Sequence, residues 1–337
     1  MEKIFSNAES RTFLVTGASG FLGKATVEWI LNEGGKVIGM DLVIADKLKE
    51  MNNPNLTLIQ ADLTKDYEFP AGVTDVIHAA GRVSDWGAYE LFYEANFVAT
   101  TRLMKLAKEA GVKNFLFIST IDIHGLLGHM DETEDGIYYD PPTGFYAQTK
   151  KITEKAVREF NSDEMKTVCI RPCTVYGPGD TTVQGPIMDA ILSGQMGVID
   201  GGKYLTSRVY ITDLVQGLCR ALEFGTGGDA YNIVSGEKIT WKEWVAALSA
   251  ELGVKPPKLS SPYFIAYLGA SILEDIYKLF RIKSGPILTR MRIQHAGHDF
   301  YFLPTKAKEE LGYEPQMPWP EGIKIMVAEY KERKGLK

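Results

Sequence analysis

Short apolar runs alternate with segments of helical spacing through the first half of the chain. The runs predict strands, and the longer segments, with an apolar residue every three or four positions, predict helices. The predicted strands cover 13–15, 36–40, 56–60, 75–78, 114–119 and 167–170, and the predicted helices cover 25–32, 88–110 and 144–160. This alternation predicts an α/β fold built on a doubly wound parallel sheet.

The pattern changes past residue 171. Further short strands are predicted at 209–211 and 231–233, and further helices at 185–193, 212–224 and 240–252. We therefore expect residues 11–175, together with about 208–235, to form the sheet domain. Residues from about 176–207 and 236–337 are expected to form a smaller, partly discontinuous C-terminal lobe that closes over a substrate.

Composition and charge limit the partners and the cellular compartment that we expect for the protein. The chain has 337 residues and a formal net charge of −6, with no basic stripe, so nucleic acid is not an expected partner. Its three cysteines are odd in number and lack the spacing of a zinc site, which favours a reducing compartment over a disulfide framework. The first ten residues are polar and contain no apolar signal-peptide core. We expect a cytoplasmic protein.

The segment 263–283 is rich in large apolar residues. Glu274 and Asp275 interrupt it, and two acids at mid-span would be costly in hydrocarbon, which argues against a membrane-spanning helix. Three readings stay open for this segment: an ordinary core helix, a helix on a membrane surface, or a cap over an apolar pocket.

Three glycines follow the first predicted strand and precede the first helix. Gly17 lets the chain leave the strand tightly, Gly20 lets a pyrophosphate approach the backbone, and Gly23 lets the helix pack closely on the sheet. The N-terminus of that helix offers free N–H groups to the phosphates. The spacing is Gly-x-x-Gly-x-x-Gly, and its strand–turn–helix setting predicts a dinucleotide-binding, Rossmann-type domain.

An acid and a run of small residues extend the cofactor prediction. Asp41 ends the second strand 18 residues after Gly23, where a carboxylate can accept hydrogen bonds from the adenosine ribose and repel a 2′-phosphate. No arginine follows it closely, so NAD is predicted over NADP. Ala79, Ala80 and Gly81 follow the fourth strand, where small residues allow a cofactor to lie against the backbone.

A proton-transfer site is predicted at the end of the fifth strand. Tyr146 and Lys150 share one face of a helix at positions i and i+4, and Thr120 ends the preceding strand. When a hydride leaves an alcohol carbon, the hydroxyl proton must leave too, and a Tyr146 phenolate could take it. One positive charge at about 4 Å, with an effective dielectric of about 20, lowers a phenol pKa by about three units. Lys150 and an oxidised nicotinamide ring are expected to supply such charges, while Thr120 holds the substrate oxygen.

In combination these motifs resemble the extended short-chain dehydrogenase/reductases, from about residue 11 to 330. The matching motifs are Thr16–Gly23, Asp62-Leu63, His78–Gly81, Ser119-Thr120, Tyr146–Lys150, Arg171-Pro172 and Tyr176–Asp180. The resemblance implies Thr120, Tyr146 and Lys150 as catalytic residues, with Asn96 as a structural or water-relay residue. It implies that the cofactor contacts Gly17, Ser19, Gly20, Phe21, Leu22, Gly23, Asp41, Asp62, Leu63, Ala79, Ala80, Gly81, Tyr146, Lys150, Pro172 and Cys173.

Within that superfamily the chain is most similar to the 3β-hydroxysteroid dehydrogenase group, which includes sterol dehydrogenases and bacterial reductases of olefin biosynthesis. The supporting segments are Trp86–Tyr89, Leu91–Asn96, Arg171–Asp180 and Arg290–Phe302. The resemblance implies a bulky apolar substrate in contact with Thr120, Asp122, Tyr146 and Tyr176. It also implies a homodimer paired through the helices at 88–110 and 146–160, and an aromatic segment at 263–283 that encloses the substrate or touches a membrane.

Other functions stay open. A nucleotide-sugar epimerase or reductase could use the same scaffold, although Ile121 stands where sugar dehydratases carry the first of two acids, which leaves only Asp122. Arg208, Arg281, Arg290 and Arg292 are the arginines that could then hold a diphosphate. A non-catalytic NAD-binding sensor or assembly protein is a third candidate. His295 and His298 lack a third strong ligand, so no metal is expected.

Overall fold

The computed structural model of the chain describes residues 3–282 and 284–336. Seven of its strands form one parallel sheet in the order β3-β2-β1-β4-β5-β7-β11. In chain order the strands are β1 Thr12–Thr16, β2 Lys36–Asp41, β3 Leu56–Gln60, β4 Asp75–His78, β5 Asn114–Ile118, β6 His129–Glu132, β7 Lys166–Pro172, β8 Thr174–Tyr176, β9 Val198–Ile199, β10 Arg208–Tyr210, β11 Ala230–Ile233, β12 Ser260–Ser261 and β13 Phe300–Phe302.

Twelve α-helices accompany these strands in the described residues. They are α1 Phe21–Asn32, α2 Asp46–Lys49, α3 Tyr89–Phe92, α4 Ala99–Glu109, α5 Phe145–Glu159, α6 Gln184–Leu192, α7 Ile211–Phe224, α8 Trp241–Glu251, α9 Tyr263–Leu279, α10 Arg290–Gly297, α11 Thr305–Leu311 and α12 Trp319–Lys334. A π-helical segment, Tyr93–Val98, joins α3 to α4, and the turn Ile121–His124 that follows β5 is a 3-10 helix.

The sheet confirms the predicted doubly wound architecture. The chain leaves β1 for β2 and β3 on one side, then returns to place β4 on the other side of β1. The strand order therefore reverses between β1 and β4, and the loops after these two strands diverge there. In folds of this kind, ligands bind at this reversal point beyond the carboxyl ends of the strands.

Successive side chains of a strand are buried on opposite faces of the sheet. Phe115 and Phe117 of β5 pack with helix α4 and α5 residues, whereas Leu116 and Ile118 belong to the larger cluster that contains α7. The larger cluster also includes Trp244 of α8. The predicted C-terminal lobe therefore shares its core with the sheet, and the division of the chain into two functional domains stays a prediction.

One of the predicted later strands lies outside the main sheet. Residues 208–210 form β10, which pairs only with β8, whereas β11 pairs with β7 and closes the edge of the main sheet. A three-residue apolar run does not carry the information that decides its partner, because pairing depends on residues distant in the chain.

A buried ion pair attaches α5 to the sheet. Arg171 of β7 is 2% exposed, and its Nη2 lies 2.6 Å from Glu154 Oε1 of α5. The same guanidinium donates a hydrogen bond to the backbone oxygen of Glu134 at 2.8 Å and contacts His124 Nε2 at 3.2 Å. One side chain thus ties together the sheet, α5 and the loop that follows the turn after β5.

Helix α9 turns an apolar face outward. Within α9, only Ala270 and Glu274 are buried. Exposed side chains on α9 and the following segment include Phe264, Ile265, Leu268, Ile272, Ile276, Leu279, Phe280, Ile282, Ile287 and Leu288. Glu274 points inward, where it accepts hydrogen bonds from the backbone N–H and Nε of Arg290 at 2.7 and 2.8 Å. Among the described residues, no helix is both long enough and apolar enough to cross a bilayer.

The loop after β4 is fastened to the segment after α9, and we call these contacts the clasp. Asp85 accepts a hydrogen bond from the Thr289 hydroxyl at 2.8 Å and forms an ion pair with Arg292 at 2.7 Å. The indole N–H of Trp86 donates to the backbone oxygen of Ile282 at 3.3 Å, and its ring meets the edge of Tyr277.

The predicted homodimer stays a prediction, which the mass of the protein in solution tests. The helices proposed to pair carry a row of neighbouring rings, since Tyr89 lies 5.7 Å from Tyr93, and Tyr93 lies 5.0 Å from Phe97, between ring centroids. Phe145 of α5 continues this row against Tyr89 and is 41% exposed.

Candidate active site

The glycine turn after β1 is packed too tightly for a larger residue. Gly17 has a φ of +68°, and a Cβ on it would lie 2.7 Å from the backbone nitrogen of Ala80. A Cβ on Gly23, in the first turn of α1, would collide with the backbone oxygen of Gly17. The Ala79 and Ala80 N–H groups donate to the backbone oxygen and the hydroxyl of Thr16 at 3.2 and 3.3 Å. The two loops therefore form a smooth backbone floor at the reversal point of the sheet, which fits a pyrophosphate.

Asp41 reaches this floor from the end of β2. Its Oδ2 accepts a hydrogen bond from the Ser19 N–H at 2.9 Å, and the Ser19 hydroxyl accepts one from the Ala45 N–H at 3.0 Å. The carboxylate thus lies beside the glycine turn, where the adenosine ribose of a bound dinucleotide would lie. Gly20 precedes α1 as its N-terminal cap, and Phe21 and Leu22 open the helix with partly buried side chains.

Other predicted cofactor residues occupy the same edge of the sheet. Asp62 Oδ1 accepts hydrogen bonds from the N–H and hydroxyl of Thr64, which lower the pKa of the carboxyl. Leu63 packs against the core of the α4–α5 face. Pro172 ends β7, and Cys173 follows it at 7% exposure. Burial raises the pKa of the Cys173 thiol, so it stays protonated and is not a nucleophile.

Lys150 is buried at the centre of the site. It is 4% exposed, its Nζ donates to the backbone oxygen of Ile118 at 2.6 Å, and the Nζ lies 4.4 Å from the centroid of the Phe117 ring. A Cβ on Gly81 would lie 3.7 Å from the same Nζ. Burial lowers the pKa of Lys150 to about 7. Lys150 therefore lies beside the loop after β4 and can exchange a proton near neutral pH.

Tyr146 lies one turn before Lys150 on α5 and meets Thr120. The Thr120 Oγ1 accepts a hydrogen bond from the Asp122 N–H at 3.2 Å. Burial and, after it, the charge of Asp122 raise the pKa of Tyr146 above its ordinary value, while the neighbouring Thr120 hydroxyl lowers it.

The expected lowering of this pKa by Lys150 is not found in the protein alone. Burial lowers the pKa of Lys150 to about 7, so this side chain is neutral at the pH where a phenol with a raised pKa ionises, and its Nζ donates to the Ile118 backbone oxygen. The positive charge that would favour a phenolate has to come mainly from another group at the site.

Asn96 is a structural tie. It lies in the π-helical segment and is 1% exposed. Its Oδ1 accepts from the Arg82 N–H at 2.7 Å, and its Nδ2 donates to the Thr149 hydroxyl at 3.1 Å. The side chain thereby fixes the turn around Gly81 against α5, which supports the structural reading of this residue.

The predicted contact of Tyr176 with substrate stays a prediction. In the protein alone its side chain is 1% exposed and packs against the rings of Tyr210 at 5.3 Å and Trp244 at 4.9 Å, between centroids. A Cβ on Gly322 of α12 would lie 2.9 Å from the Tyr176 hydroxyl. The phenol therefore lies among aromatic side chains beside α12.

Two features of the site could not be derived from the sequence: the contact of Asp122 with α10, and the burial of Arg208, which was named only as a candidate ligand of a diphosphate. Asp122 Oδ1 lies 3.4 Å from Nε2 of His295, which belongs to α10. No sequence signal could connect residues so far apart, and His295 stood out only as one of a histidine pair. Its neighbour His298 instead lines a cavity of about 580 Å³ whose lining includes none of Thr120, Tyr146 and Lys150. The described residues hold no group of three or more metal-ligating side chains.

Arg208 is the second such feature. It is 0% exposed, and its Nε, Nη1 and Nη2 have no hydrogen-bond partner among the described residues. The guanidinium carbon lies 3.9 Å from the ring centroid of Trp244 and 4.8 Å from that of Trp241. Burial lowers the pKa of Arg208 to about 9. An unpaired buried cation is costly, so this guanidinium is suited to an anionic partner.

Comparison with known proteins identifies the family of the chain. Residues 13–234 match the family described as the NAD dependent epimerase/dehydratase family. A mouse sterol-4-alpha-carboxylate 3-dehydrogenase, decarboxylating, is 29% identical over 96% of this chain and 92% of its own length. A 2-alkyl-3-oxoalkanoate reductase from Stenotrophomonas maltophilia is 26% identical over 94% of this chain and 98% of its own length.

A solved structure shares the fold along nearly the whole chain. MoeE5 in complex with UDP-glucose and NAD superposes with a TM-score of 0.75 at 21% identity, over 96% of this chain and 99% of the other. The parallel sheet, the glycine floor and the family match agree. The chain belongs to the NAD-dependent epimerase/dehydratase family, the extended short-chain dehydrogenase/reductases, and its cofactor is NAD.

Proposed function

We propose that the protein interconverts a secondary alcohol and a ketone on a bulky apolar substrate, with Tyr146 as the acid/base. The observation that carries this proposal is the contact of Tyr146 with Thr120, one turn from the buried Lys150, beside the glycine floor. An oxidoreductase needs a proton acceptor where the alcohol oxygen meets the cofactor, and this arrangement offers one.

The residues divide the proton transfer among them. NAD, when bound on the glycine floor, would supply the hydride acceptor for the alcohol carbon. Thr120 donates a hydrogen bond to the substrate oxygen and holds it in line, and the Tyr146 phenolate takes the hydroxyl proton. Lys150 binds the nicotinamide ribose and, with its pKa near 7, passes the proton onward. In the reverse direction the Tyr146 phenol supplies the proton to the ketone oxygen. Asp41 accepts hydrogen bonds from the adenosine ribose and so favours NAD over NADP.

We further propose that the substrate carries a carboxylate close to the reacting carbon. The names of both relatives describe such molecules: a sterol carboxylate oxidised at the carbon next to its acid-bearing carbon, and a 3-oxoalkanoate with a 2-alkyl group. Each pairs an apolar body with one acid. In this chain the unpaired, buried guanidinium of Arg208 supplies the matching cation.

A nucleotide-sugar epimerase or reductase is the second candidate. The same Arg208 favours it, since a diphosphate is also an anion, and a solved neighbour holds UDP-glucose. A non-catalytic NAD-binding protein gains no support, because both Tyr146 and Lys150 are present.

We propose that α9 and the segment after it bind the anionic surface of a membrane from the cytoplasm. Residues 255–292 contain seven basic and two acidic residues, a balance of +5 in a chain of net charge −6. One of the two acids, Glu274, faces inward. The outward face therefore presents apolar and mostly basic groups, the combination that lipid surfaces with anionic headgroups bind. Such a position suits an enzyme whose substrate dissolves in lipid.

Replacing Tyr146 by Phe should lower turnover by about 10²–10⁴-fold, because it removes the proton acceptor and leaves the ring. NADH formation from an accepted alcohol measures this, and NAD binding should be unchanged. Tyr330→Phe is the matched control and should retain turnover, because that phenol lies on α12, where it donates to Asp189 of α6 at 2.6 Å. Full activity of Tyr146→Phe would refute the proposed function.

The substrate class is tested by a panel of bulky 2-alkyl-3-hydroxy acids, sterol 4-carboxylates, their methyl esters and UDP-sugars. We expect NADH formation from the acids and a 10–100-fold lower kcat/KM for the esters, about the loss of one charged hydrogen-bond partner. Arg208→Met should erase the preference for acid over ester, and it should fold, since it removes an unpaired buried charge. Arg281→Met, at an exposed position, is the control. Turnover of UDP-sugars alone would favour the second candidate.

Asp41→Ala should weaken the preference for NAD over NADP by about 10–100-fold, because it removes a charged acceptor for the ribose. The ratio of kcat/KM for the two cofactors measures this. Asp46→Ala, at a side chain that is 85% exposed on α2, should leave the ratio unchanged. An unaltered ratio in Asp41→Ala would assign the discrimination to other residues.

Leu268→Glu and Ile272→Glu should each lower binding to vesicles containing phosphatidylglycerol by about tenfold or more, because they put a charge on the apolar face of α9. Co-sedimentation with such vesicles, and with vesicles of phosphatidylcholine alone, measures this. Phe224→Glu, an equally exposed position at the end of α7, is the control. If the wild-type protein sediments with neither kind of vesicle, the membrane proposal is wrong.

A further inference from the structure

Asp122 places a carboxylate next to the proposed acid/base. It lies in the 3-10 turn after Thr120, and its side chain is 12% exposed. Its N–H donates to the Thr120 Oγ1 at 3.2 Å, and its negative charge raises the pKa of both Tyr146 and Cys173. A carboxylate in this position opposes the phenolate that alcohol oxidation requires.

His295 reaches the same carboxylate from α10. Its Nε2 lies 3.4 Å from Asp122 Oδ1, and its side chain is 22% exposed. The ring meets the edge of the Phe300 ring at 4.9 Å, and its backbone oxygen accepts from the Trp241 indole at 3.1 Å. These neighbours are uncharged and fix the position of the imidazole.

The titratable groups that face Asp122 come from three elements. They are Tyr146 on α5, Cys173 after β7 and His295 on α10. The positive charge of Arg208, on β10, reaches Cys173. In the described part of the chain, His295 contacts the Asp122 carboxylate and, when protonated, would offset its charge.

We propose that His295 is a positioning residue that acts through Asp122 to promote ionisation of the Tyr146 phenol, a role that rests on the proposed function of Tyr146. An imidazolium at His295 pairs with the Asp122 carboxylate and removes the repulsion that the phenolate would meet. Because His295 belongs to α10 and Asp122 to the turn after β5, the pair forms only while α10 is seated against the sheet. The acid/base is therefore activated in the assembled site.

Removal of a compensating cation raises the pKa of a phenol, and removal of the anion lowers it. His295→Gln should move the Tyr146 titration to higher pH by about one unit, and Asp122→Asn should move it to lower pH. In the double variant the histidine change should add nothing to the effect of Asp122→Asn, because the two act in series. The acid limb of kcat/KM for alcohol oxidation should move in the same directions, with the KM for NAD unchanged.

The titration is read from the ultraviolet absorbance of phenolate in the NAD-loaded enzyme. The signal of Tyr146 is the difference between each protein and the same protein carrying Tyr146→Phe, so no substrate is needed. His298→Gln is the matched control. That histidine directly follows α10, its ring contacts the Gln294 backbone oxygen, and it lines the cavity of about 580 Å³ described above. His295→Asn serves as a second variant if His295→Gln does not fold.

Two outcomes separate this inference from the proposed function. If Tyr146→Phe abolishes turnover but His295→Gln and His295→Asn titrate like the wild-type protein, the inference is wrong and the proposed function stands. If Tyr146→Phe is fully active, the proposed function is wrong, and the inference, which rests on it, is wrong as well. An equal shift in His298→Gln would also overturn the inference, since it would trace the effect to the helix and not to the contact with Asp122.

Discussion

The ion pair between Arg171 and Glu154 is the contact on which the geometry of the site depends. Glu154 lies on the same face of α5 as Tyr146 and Lys150, two turns after Tyr146 and one turn after Lys150. Holding Glu154 against β7 therefore holds the phenol and the ammonium at the edge of the sheet. The guanidinium also contacts the Glu134 backbone and His124, so it fixes the loop that follows Thr120. A buried ion pair contributes little net stability, but it selects one arrangement because an unpaired partner would be costly.

Burial acts on the two proton-handling groups in opposite directions. It lowers the pKa of Lys150 to about 7 and raises that of Tyr146, because in each case it disfavours the charged form. In the protein alone both groups therefore tend toward neutrality. In the proposed mechanism, the positive charge of an oxidised nicotinamide ring would favour the Tyr146 phenolate, and the neutral reduced ring would leave the phenol protonated for ketone reduction.

The sequence alone was sufficient to place those site residues whose positions depend on neighbours in the chain. The glycine turn, Asp41 at the end of β2 and the i, i+4 spacing of Tyr146 and Lys150 each depend on residues close in the chain, and the structure has these residues along one edge of the sheet. For Tyr176 the motif gives a position along the chain but not the aromatic side chains that surround the phenol. The contact of Asp122 with His295 and the missing partner of Arg208 arise from tertiary packing. The raised pKa of Tyr146 likewise depends on burial, which spacing alone does not contain.

The clasp has a mechanical consequence. Asp85 and Trp86 follow Gly81 within the loop that approaches Lys150, and they are fastened to Thr289, Arg292 and the Ile282 backbone. The clasp thereby connects the segment after α9 to the loop after β4. A displacement of the segment after α9 would therefore act through the clasp on the loop that follows Gly81. The orientation of the whole molecule on a surface would thus set the direction from which a substrate approaches the ring.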